Sequence, residues 1–202
     1  MANNFFNAVK PNISANASAP TTIYSPSGIK AIAIELDAAN KSTAGVTITV
    51  SIEDNSTNAS ATAATVSSAA NGTFTDNSHG LVVGDRLLFA FNTAPNIASG
   101  STDSALLNTK IYYVQVADTK TFHIAETRSA GTPIKLSGAG VSITYIKKSI
   151  SDIVRDAPVP VGGALKVIAG QKLVLEASDK LYAHCSSANN VDVVASVLAD
   201  LS

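Results

Sequence analysis

The residues that could supply a nucleophile or a base are few in this 202-residue chain: one cysteine and three histidines. His184 and Cys185 are adjacent, which could suggest a Cys–His pair. Neighbouring residues on a strand point to opposite faces, and this defeats direct activation of the thiol by the imidazole. We therefore expect Cys185 to be a buried, inert thiol.

The two other histidines stand in contexts that favour structural roles. His79 lies in a His-Gly-Leu sequence, where we expect it to cap or hydrogen-bond a turn. His123 alternates with Phe122 and Ile124, which is typical of a residue on the surface of a strand. Catalysis is the less favoured alternative for both imidazoles.

Two acidic residues form the remaining candidate site. Glu35 and Asp37 share one face of a predicted strand and could bind a cation or form half of a carboxylate pair. A solvated outer face explains them more simply. The chain has no GxxxxGK[ST] loop, no HExxH sequence and no paired cysteines. We therefore predict no catalytic, metal-binding or cofactor-binding residues, no cofactor and no enzymatic activity.

Composition and charge favour β structure and argue against several partners. Charged residues make up only 14% of the chain, the net charge is −1, and Thr, Ser, Ala, Asn and Val are abundant. This composition lacks the excess of Lys and Arg that is typical of a protein that binds nucleic acid or an anionic membrane. No signal peptide and no apolar run of membrane-spanning length is found. We expect a soluble protein made in a cytoplasm.

Period-two alternation predicts the strands of an outer domain. Over Val46–Glu53 the Val and Ile residues are expected to face inward and the Thr, Ser and Glu residues to face water. Residues 29–38 form a second strand, with Ile32, Ile34 and Leu36 expected on one face. Four more segments have the composition of strands: residues 21–25, 173–176, 180–185 and 191–201. The last is apolar on both faces, as expected for a strand that is covered on both sides or used at an interface.

The middle of the chain predicts a separate inserted domain. Residues 54–72 have the composition of a linker, and short strands with close spacing follow over residues 73–145. A Gly/Ser/Asn-rich loop over residues 92–108 is the expected contact-making part of this domain. We predict an antiparallel β-sandwich (jelly-roll or Ig-like) over residues 21–55 plus 146–202, with a small β-barrel-like domain inserted over residues 56–145.

The first 20 residues are predicted to form an extended arm. Their sizeable apolar residues are Phe5, Phe6, Val9 and Ile13, too few to form a core of their own. The arm is therefore expected to be disordered alone or ordered on a neighbouring subunit, and a simply frayed terminus is the equally favoured alternative. The four apolar residues are candidate interface residues, and deletion of the arm is expected to abolish assembly.

The inserted domain resembles a β module that is common in virion proteins of tailed bacteriophages. The resemblance is carried by His79-Gly80-Leu81, Gly84-Asp85, Tyr112-Tyr113-Val114 and Thr121-Phe122. The two glycines allow turn geometry, and the Asp carboxylate can bond turn amides. The two adjacent tyrosines are expected to face opposite sides of one strand.

The outer halves are similar to a β-sandwich family of phage virions. The matching residues are Thr21-Thr22-Ile23-Tyr24, Ala39-Asn40, Ala157-Pro158-Val159-Pro160 and Lys172-Leu173-Val174-Leu175-Glu176-Ala177, with Asp179 and Leu181. Together the two resemblances cover nearly all of residues 21–201. They consist of turn and strand patterns, which indicate an architecture rather than a reaction.

The resemblance implies a structural protein of the virion, made in the cytoplasm of the host bacterium. A capsid decoration or cement protein is favoured, and a neck, tail or baseplate component is the alternative. Its partners would be copies of itself and other virion proteins, such as major capsid or tail proteins. A second hypothesis is a carbohydrate-binding module for a host-surface glycan, with Tyr112, Tyr113 and the loop over residues 92–108 as its contact residues. Excision of residues 73–145 is expected to leave the outer domain folded.

Overall fold

The structure, a computed structural model, describes residues 4–28, 30–128, 131–138 and 142–199. These residues form antiparallel strands and one 3-10 turn at Asn55–Thr57, and they contain no α-helix. The strands in chain order are β1 (Asn4–Lys10), β2 (Thr21–Tyr24), β3 (Lys30–Asn40), β4 (Val46–Glu53), β5 (Thr62–Ser68), β6 (Thr73–Thr75), β7 (Arg86–Ala90), β8 (Ile97–Ser99), β9 (Ile111–Ala117), β10 (Thr121–Ala125), β11 (Lys135–Leu136), β12 (Ser142–Lys148), β13 (Ile150–Val159), β14 (Ala164–Ile168), β15 (Leu173–Glu176), β16 (Lys180–Cys185) and β17 (Val191–Ala199). The prediction of an all-β antiparallel fold is confirmed.

The chain divides into two compact units, with breaks after Thr57 and after Lys148. The first unit, which we call the body, contains β1–β4 and β13–β17, and the second, the barrel, contains β5–β12. The predicted breaks after residues 55 and 145 lie close to these. The interpretation of residues 54–72 as a linker was wrong over β5, because Ala64 and Val66 alternate into the barrel core there.

The body consists of two antiparallel sheets around one apolar core. One sheet has the order β1-β17-β3-β14, with β15 also pairing with β3, and the other has the order β13-β4-β16-β2. The strand β14 was not predicted from the sequence. The predicted turn at residues 138–140 and the predicted end of the last strand at residue 201 lie partly outside the described residues.

The strand β4 has the predicted bounds, but its outer face is covered. Thr49 and Ser51 are buried, since the bulged strand β13 places polar groups over them: Asp156 N donates to Thr49 Oγ1 (3.0 Å), and Ser51 Oγ donates to the Asp152 carboxylate (2.9 Å). Glu53, expected to face water, is fully buried and accepts a hydrogen bond from the neighbouring strand β16. The prediction of a wet face was therefore wrong.

A bulge in β3 changes which of its residues face the core. Ala31 and Ala33 point inward, and after a register shift opposite Ser196 and Val197 the inward positions become Leu36 and Ala38. The predicted shared face of Ile32, Ile34 and Leu36 was therefore wrong, since a bulge reverses the alternation. The two isoleucines lie half-buried on the solvent side of this sheet.

The N-terminal segment forms part of the body, which corrects the prediction of an extended arm. The strand β1 pairs with β17 in an unbroken register from Asn4↔Ala199 to Lys10↔Val193. Ile13 is fully buried, and its backbone N–H donates to Val191 O (2.9 Å). These contacts supply, within the same chain, the core that the segment lacks by itself. Deletion of residues 1–20 would therefore remove part of the core as well as any interface.

The barrel closes through the strand order β10-β6-β5-β12-β7-β9, and β8 and β11 form a small separate sheet. Its core is built on stacked and tilted aromatic rings. Phe74 stacks on Phe89 and Phe122, with ring centroids 5.5 and 5.3 Å apart, and Phe89 also contacts Tyr112 and Tyr145. Because a closed barrel has no free sheet edge, each of its six strands has two neighbours.

Substitution of Gly72 by alanine is expected to destabilise the barrel by about 2 kcal/mol. The residue has a φ of 65°, and a Cβ atom there would collide with the backbone carbonyl of Ile134. Gly138→Ala is the control, since that position has no neighbouring atom within 4 Å. Denaturant unfolding of the two variants measures the difference, and equal stabilities would contradict this account of the close approach.

Candidate functional site

His79 and Asp85 organise the turn before β7. Leu81 N donates to His79 Nδ1 (2.9 Å), and Val82 N donates to Asp85 Oδ2 (2.9 Å). The imidazole also makes a T-shaped contact with the Phe122 ring, with centroids 5.5 Å apart. The predicted turn-bonding roles of both residues are confirmed, and the contact with Phe122 ties this turn to the barrel core.

Cys185 is buried in the body, as predicted. Its thiol donates to Ser187 O (3.0 Å), and its neighbour His184 lies on the other face of β16. Burial raises the pKa of the thiol, although the hydrogen bond with Ser187 acts in the opposite direction. A buried thiol with a raised pKa is a poor nucleophile.

We expect a thiol reagent to leave Cys185 unmodified in the native protein at mildly alkaline pH and to modify it fully in denaturant. The reason is that both access and thiolate formation require unfolding. Absorbance of the released chromophore measures the reaction. Fast modification of the native chain would contradict the inert role.

The acidic pair on β3 is partly neutralised by one lysine from β14. Lys166 forms an ion pair with Glu35, and its Nζ lies 3.9 Å from Asp37 Oδ1. All three side chains are substantially exposed, so the pair is a solvated charged group of small energetic weight. No group of three or more His, Cys, Asp or Glu residues in the described part of the chain is placed to hold a metal ion.

A buried charge cluster in the barrel was missed from the sequence. Lys110 is only 4% exposed, and its Nζ lies 2.8 Å from Asp103 Oδ2 and 2.6 Å from Glu126 Oε1. Ser101 Oγ donates to the same Glu126 oxygen. The four residues lie in polar segments outside the strands, with Ser101 and Asp103 in one loop, so only the lysine immediately before the apolar strand β9 could have indicated the cluster.

The role of this cluster is to hold a loop in place by ion pairs and not to react. Burial alone would lower the pKa of Lys110, but the hydrogen bonds and charges of Asp103 and Glu126 outweigh it, and the pKa is raised. The amine is therefore held protonated and cannot act as a base. Its contacts connect the loop over residues 92–108 to the end of β10 and fix it on the barrel.

The two tyrosines proposed as contact residues are both buried, which corrects that assignment, and Tyr112 belongs to the apolar core of the barrel. Tyr112 is fully buried, and its hydroxyl accepts from Leu107 N (2.9 Å). Tyr113 is 4% exposed, because the Arg86 guanidinium lies over its ring at 5.7 Å from the centroid. Neither ring offers a face on which a sugar or another subunit could stack.

The four N-terminal candidates divide between the two faces of β1 and the core. Ile13 is a core residue and is no longer an interface candidate, and Phe6 points inward and packs against Tyr24 with ring centroids 5.7 Å apart. Phe5 and Val9 point to solvent and are 62% and 57% exposed. These two side chains are the ones that the structure leaves available for contact.

Phe5 begins a line of apolar side chains across the solvent face of the first sheet, which we call the outer apolar row. The strand registers place Phe5 beside Leu198, Leu198 beside Ile32, and Ile32 beside Val174. Val174 is 52% exposed, and the two middle residues are half-buried. With strands about 4.8 Å apart, the row runs about 15 Å across four strands.

No helix in the described residues is long and apolar enough to cross a membrane. Comparison with known proteins finds no matching family model, no matching curated protein and no matching solved structure.

Proposed function

We propose that this chain is a non-enzymatic structural protein of a tailed-bacteriophage virion, most specifically a capsid decoration or cement protein. It stabilises the particle by contacts with copies of itself and with other virion proteins, such as the major capsid protein. The phage assignment rests on the sequence patterns of the body and the barrel. The observation that carries the adhesive role is the outer apolar row with its exposed ends, Phe5 and Val174.

Apolar side chains aligned across an exposed sheet are suited to protein contact. Scattered single apolar residues are ordinary on surfaces, whereas contiguous apolar patches mark interaction sites. A stable specific interface buries at least about 1,000 Å² in total. A row of four side chains provides the apolar centre of such a contact, and the polar residues around it, including Asn7 and Ser196, provide a rim.

A neck, tail or baseplate component would use the same adhesive surface, so position in the particle separates it from a decoration protein. The glycan-binding hypothesis lacks an exposed aromatic surface, since Tyr112 and Tyr113 are both buried. We therefore do not propose it as a second function.

Immunogold labelling of purified tailed particles, with an antibody raised against this chain, tests the proposal. Label over the capsid surface is the expected result. Label confined to the neck or tail would move the proposal to the alternative position. Particles whose purified protein content lacks this chain would overturn the proposal altogether.

A further inference from the structure

The strand β1 lies at the end of its sheet, where one side of its backbone faces outward. Among the described strands, only β17 pairs with it. The strand is seven residues long, its register has no shift, and Lys10 is its only charged residue. A regular, apolar edge strand of this kind presents a row of backbone donors and acceptors that another strand can pair with.

The other three edges of the body carry features that prevent such pairing. The edge strand β13 has two register shifts, a positive φ at Asp156 and a proline at position 158. The edge opposite β1 is shared by the two short strands β14 and β15, and β2 has four residues between Pro20 and Pro26. Bulges, prolines and short strands are the usual means of blocking edge pairing. The edge of β1 is the one left regular.

We infer that β1 pairs antiparallel with β1 of a second copy of this chain, about a two-fold axis at Asn7, and joins two sheets into one. In this register Phe5 lies opposite Val9 of the second copy, and Phe6 lies opposite Ala8. An aromatic residue opposite a β-branched one is a favourable cross-strand pair. The inference rests on the self-association included in the proposed function.

Charge and continuity favour a second copy as the occupant. Lys10 lies opposite Asn4 in this register and never opposite another lysine, and the chain's net charge of −1 gives little repulsion between copies. Phe5 ends the outer apolar row of one copy, and the pairing places Val9 of the second copy beside it. The row therefore continues across the two-fold axis into a larger apolar surface.

The second sheet adds to the same contact. Phe6 lies against Tyr24 of β2, which is the edge strand of the other sheet on this side of the body. When two β1 strands pair, both β2 edges approach the axis as well. The interface then includes both layers of each sandwich, and the contact is isologous and closed, giving a dimer and not a fibre.

Charge substitutions at the two exposed positions test the register. Phe5→Lys with Val9→Lys places lysines opposite each other at both paired positions, and we expect the dimer Kd to rise at least about 100-fold. Phe5→Lys with Val9→Glu places opposite charges there, and we expect a Kd within about tenfold of the unsubstituted chain. Val174→Lys is the control on the same sheet face, distant from β1, and should leave the Kd unchanged.

Sedimentation velocity of the full chain measures these constants, and circular dichroism checks that each variant is folded. A monomeric unsubstituted chain, or equal effects of the two double substitutions, would overturn the inference. A dimer formed by exchange of β1 between copies would be insensitive to both double substitutions, and that result would also overturn it.

A disulfide at the two-fold axis gives an independent measurement. Asn7→Cys should form an intermolecular disulfide under mild oxidation, since directly opposed residues of an antiparallel pair have Cα atoms about 4.5–5.5 Å apart, within the range that a disulfide spans. The native Cys185 is buried and does not compete. Val174→Cys should remain unlinked, and equal crosslinking of both variants would overturn the register.

The two proposals can fail separately. If the chain forms the dimer but is absent from particles, only the proposed function is refuted. If the chain is found in particles but is monomeric, only this inference is refuted.

Discussion

Replacement of Lys110 by methionine is expected to destabilise the barrel by about 3 kcal/mol or more. The substitution keeps most of the side-chain volume but removes the charge that pairs with Asp103 and Glu126. Two partly buried carboxylates would then face each other without a cation, and the loop over residues 92–108 would lose one of its attachments to the barrel. Urea unfolding followed by far-UV circular dichroism measures the loss.

The matched control for this substitution is Lys147→Met in the same unit. Lys147 Nζ lies 2.8 Å from Asp85 Oδ2, so the ion-pair distance is the same, but its side chain is 41% exposed. An exposed pair contributes at most about 1 kcal/mol. Similar losses from the two substitutions would show that the burial of the Lys110 cluster has no energetic importance.

The pH dependence of the Lys110 effect follows from the raised pKa. The charged amine is stabilised in the folded state, so its contribution is fully present below the ordinary lysine pKa of 10.5. It declines as the pH rises through the higher folded-state value. The part of the stability difference between the unsubstituted chain and Lys110→Met that comes from the charged amine should therefore shrink only in strongly alkaline solution.

Excision of the barrel is expected to leave the body folded when the cuts lie close to the unit boundaries. Glu53 and Ile150 are paired residues of β4 and β13, and Asp54 N donates to Ser149 O (2.9 Å). Residues 55–148 can therefore be replaced by Asn-Gly, the preferred sequence of a two-residue hairpin turn. The Asn55 N–H bond to Asp179 is lost, which costs about 1 kcal/mol.

The excision first expected from the sequence, residues 73–145, gives the contrasting variant. It leaves β5 attached to the body, with Ala64 and Val66 deprived of the barrel core that buries them. We expect this variant to aggregate, whereas the hairpin variant unfolds cooperatively as a monomer or dimer. Loss of cooperative unfolding in the hairpin variant would contradict the independence of the body.

Much of the body could be predicted from alternation alone. The bounds of β4, β15 and β16 match the predicted segments, because β4 and β16 have apolar residues at alternate positions and β15 is a short apolar run. The turn roles of His79 and Asp85 were also predictable, since such side chains bond amides two or three residues away. These are all local features.

The errors share one cause, which is pairing between residues distant in sequence. The bulge in β3 is visible only in its register with β17. Glu53 is buried beside Tyr182 of β16, whose hydroxyl donates a hydrogen bond to its carboxylate. The N-terminal segment has too few apolar residues to form a core by itself, and the partner of its strand β1 is β17, at the other end of the sequence. Lys110 likewise meets its carboxylates only after the barrel closes.

The candidate surface was partly predictable. Phe5 and Val9 were named from their apolar character in a polar segment, and both are exposed. Tyr112 and Tyr113 were named as aromatic rings that could contact a glycan, but both are buried. A local sequence pattern does not distinguish an aromatic residue on a surface from one in a core.

Incorporation into particles is the most direct test of the proposed adhesive function. The measurement is the number of copies per particle, by quantitative mass spectrometry, for the unsubstituted chain and for Phe5→Lys with Val9→Lys, each supplied to particles assembled without the native protein. We predict stable incorporation of the unsubstituted chain and loss of the charged variant, with Val174→Lys measured alongside to show how far the contact extends along the row. Equal incorporation of the unsubstituted chain and the charged variant would contradict the role assigned to β1, and absence of both from particles would contradict the virion function itself.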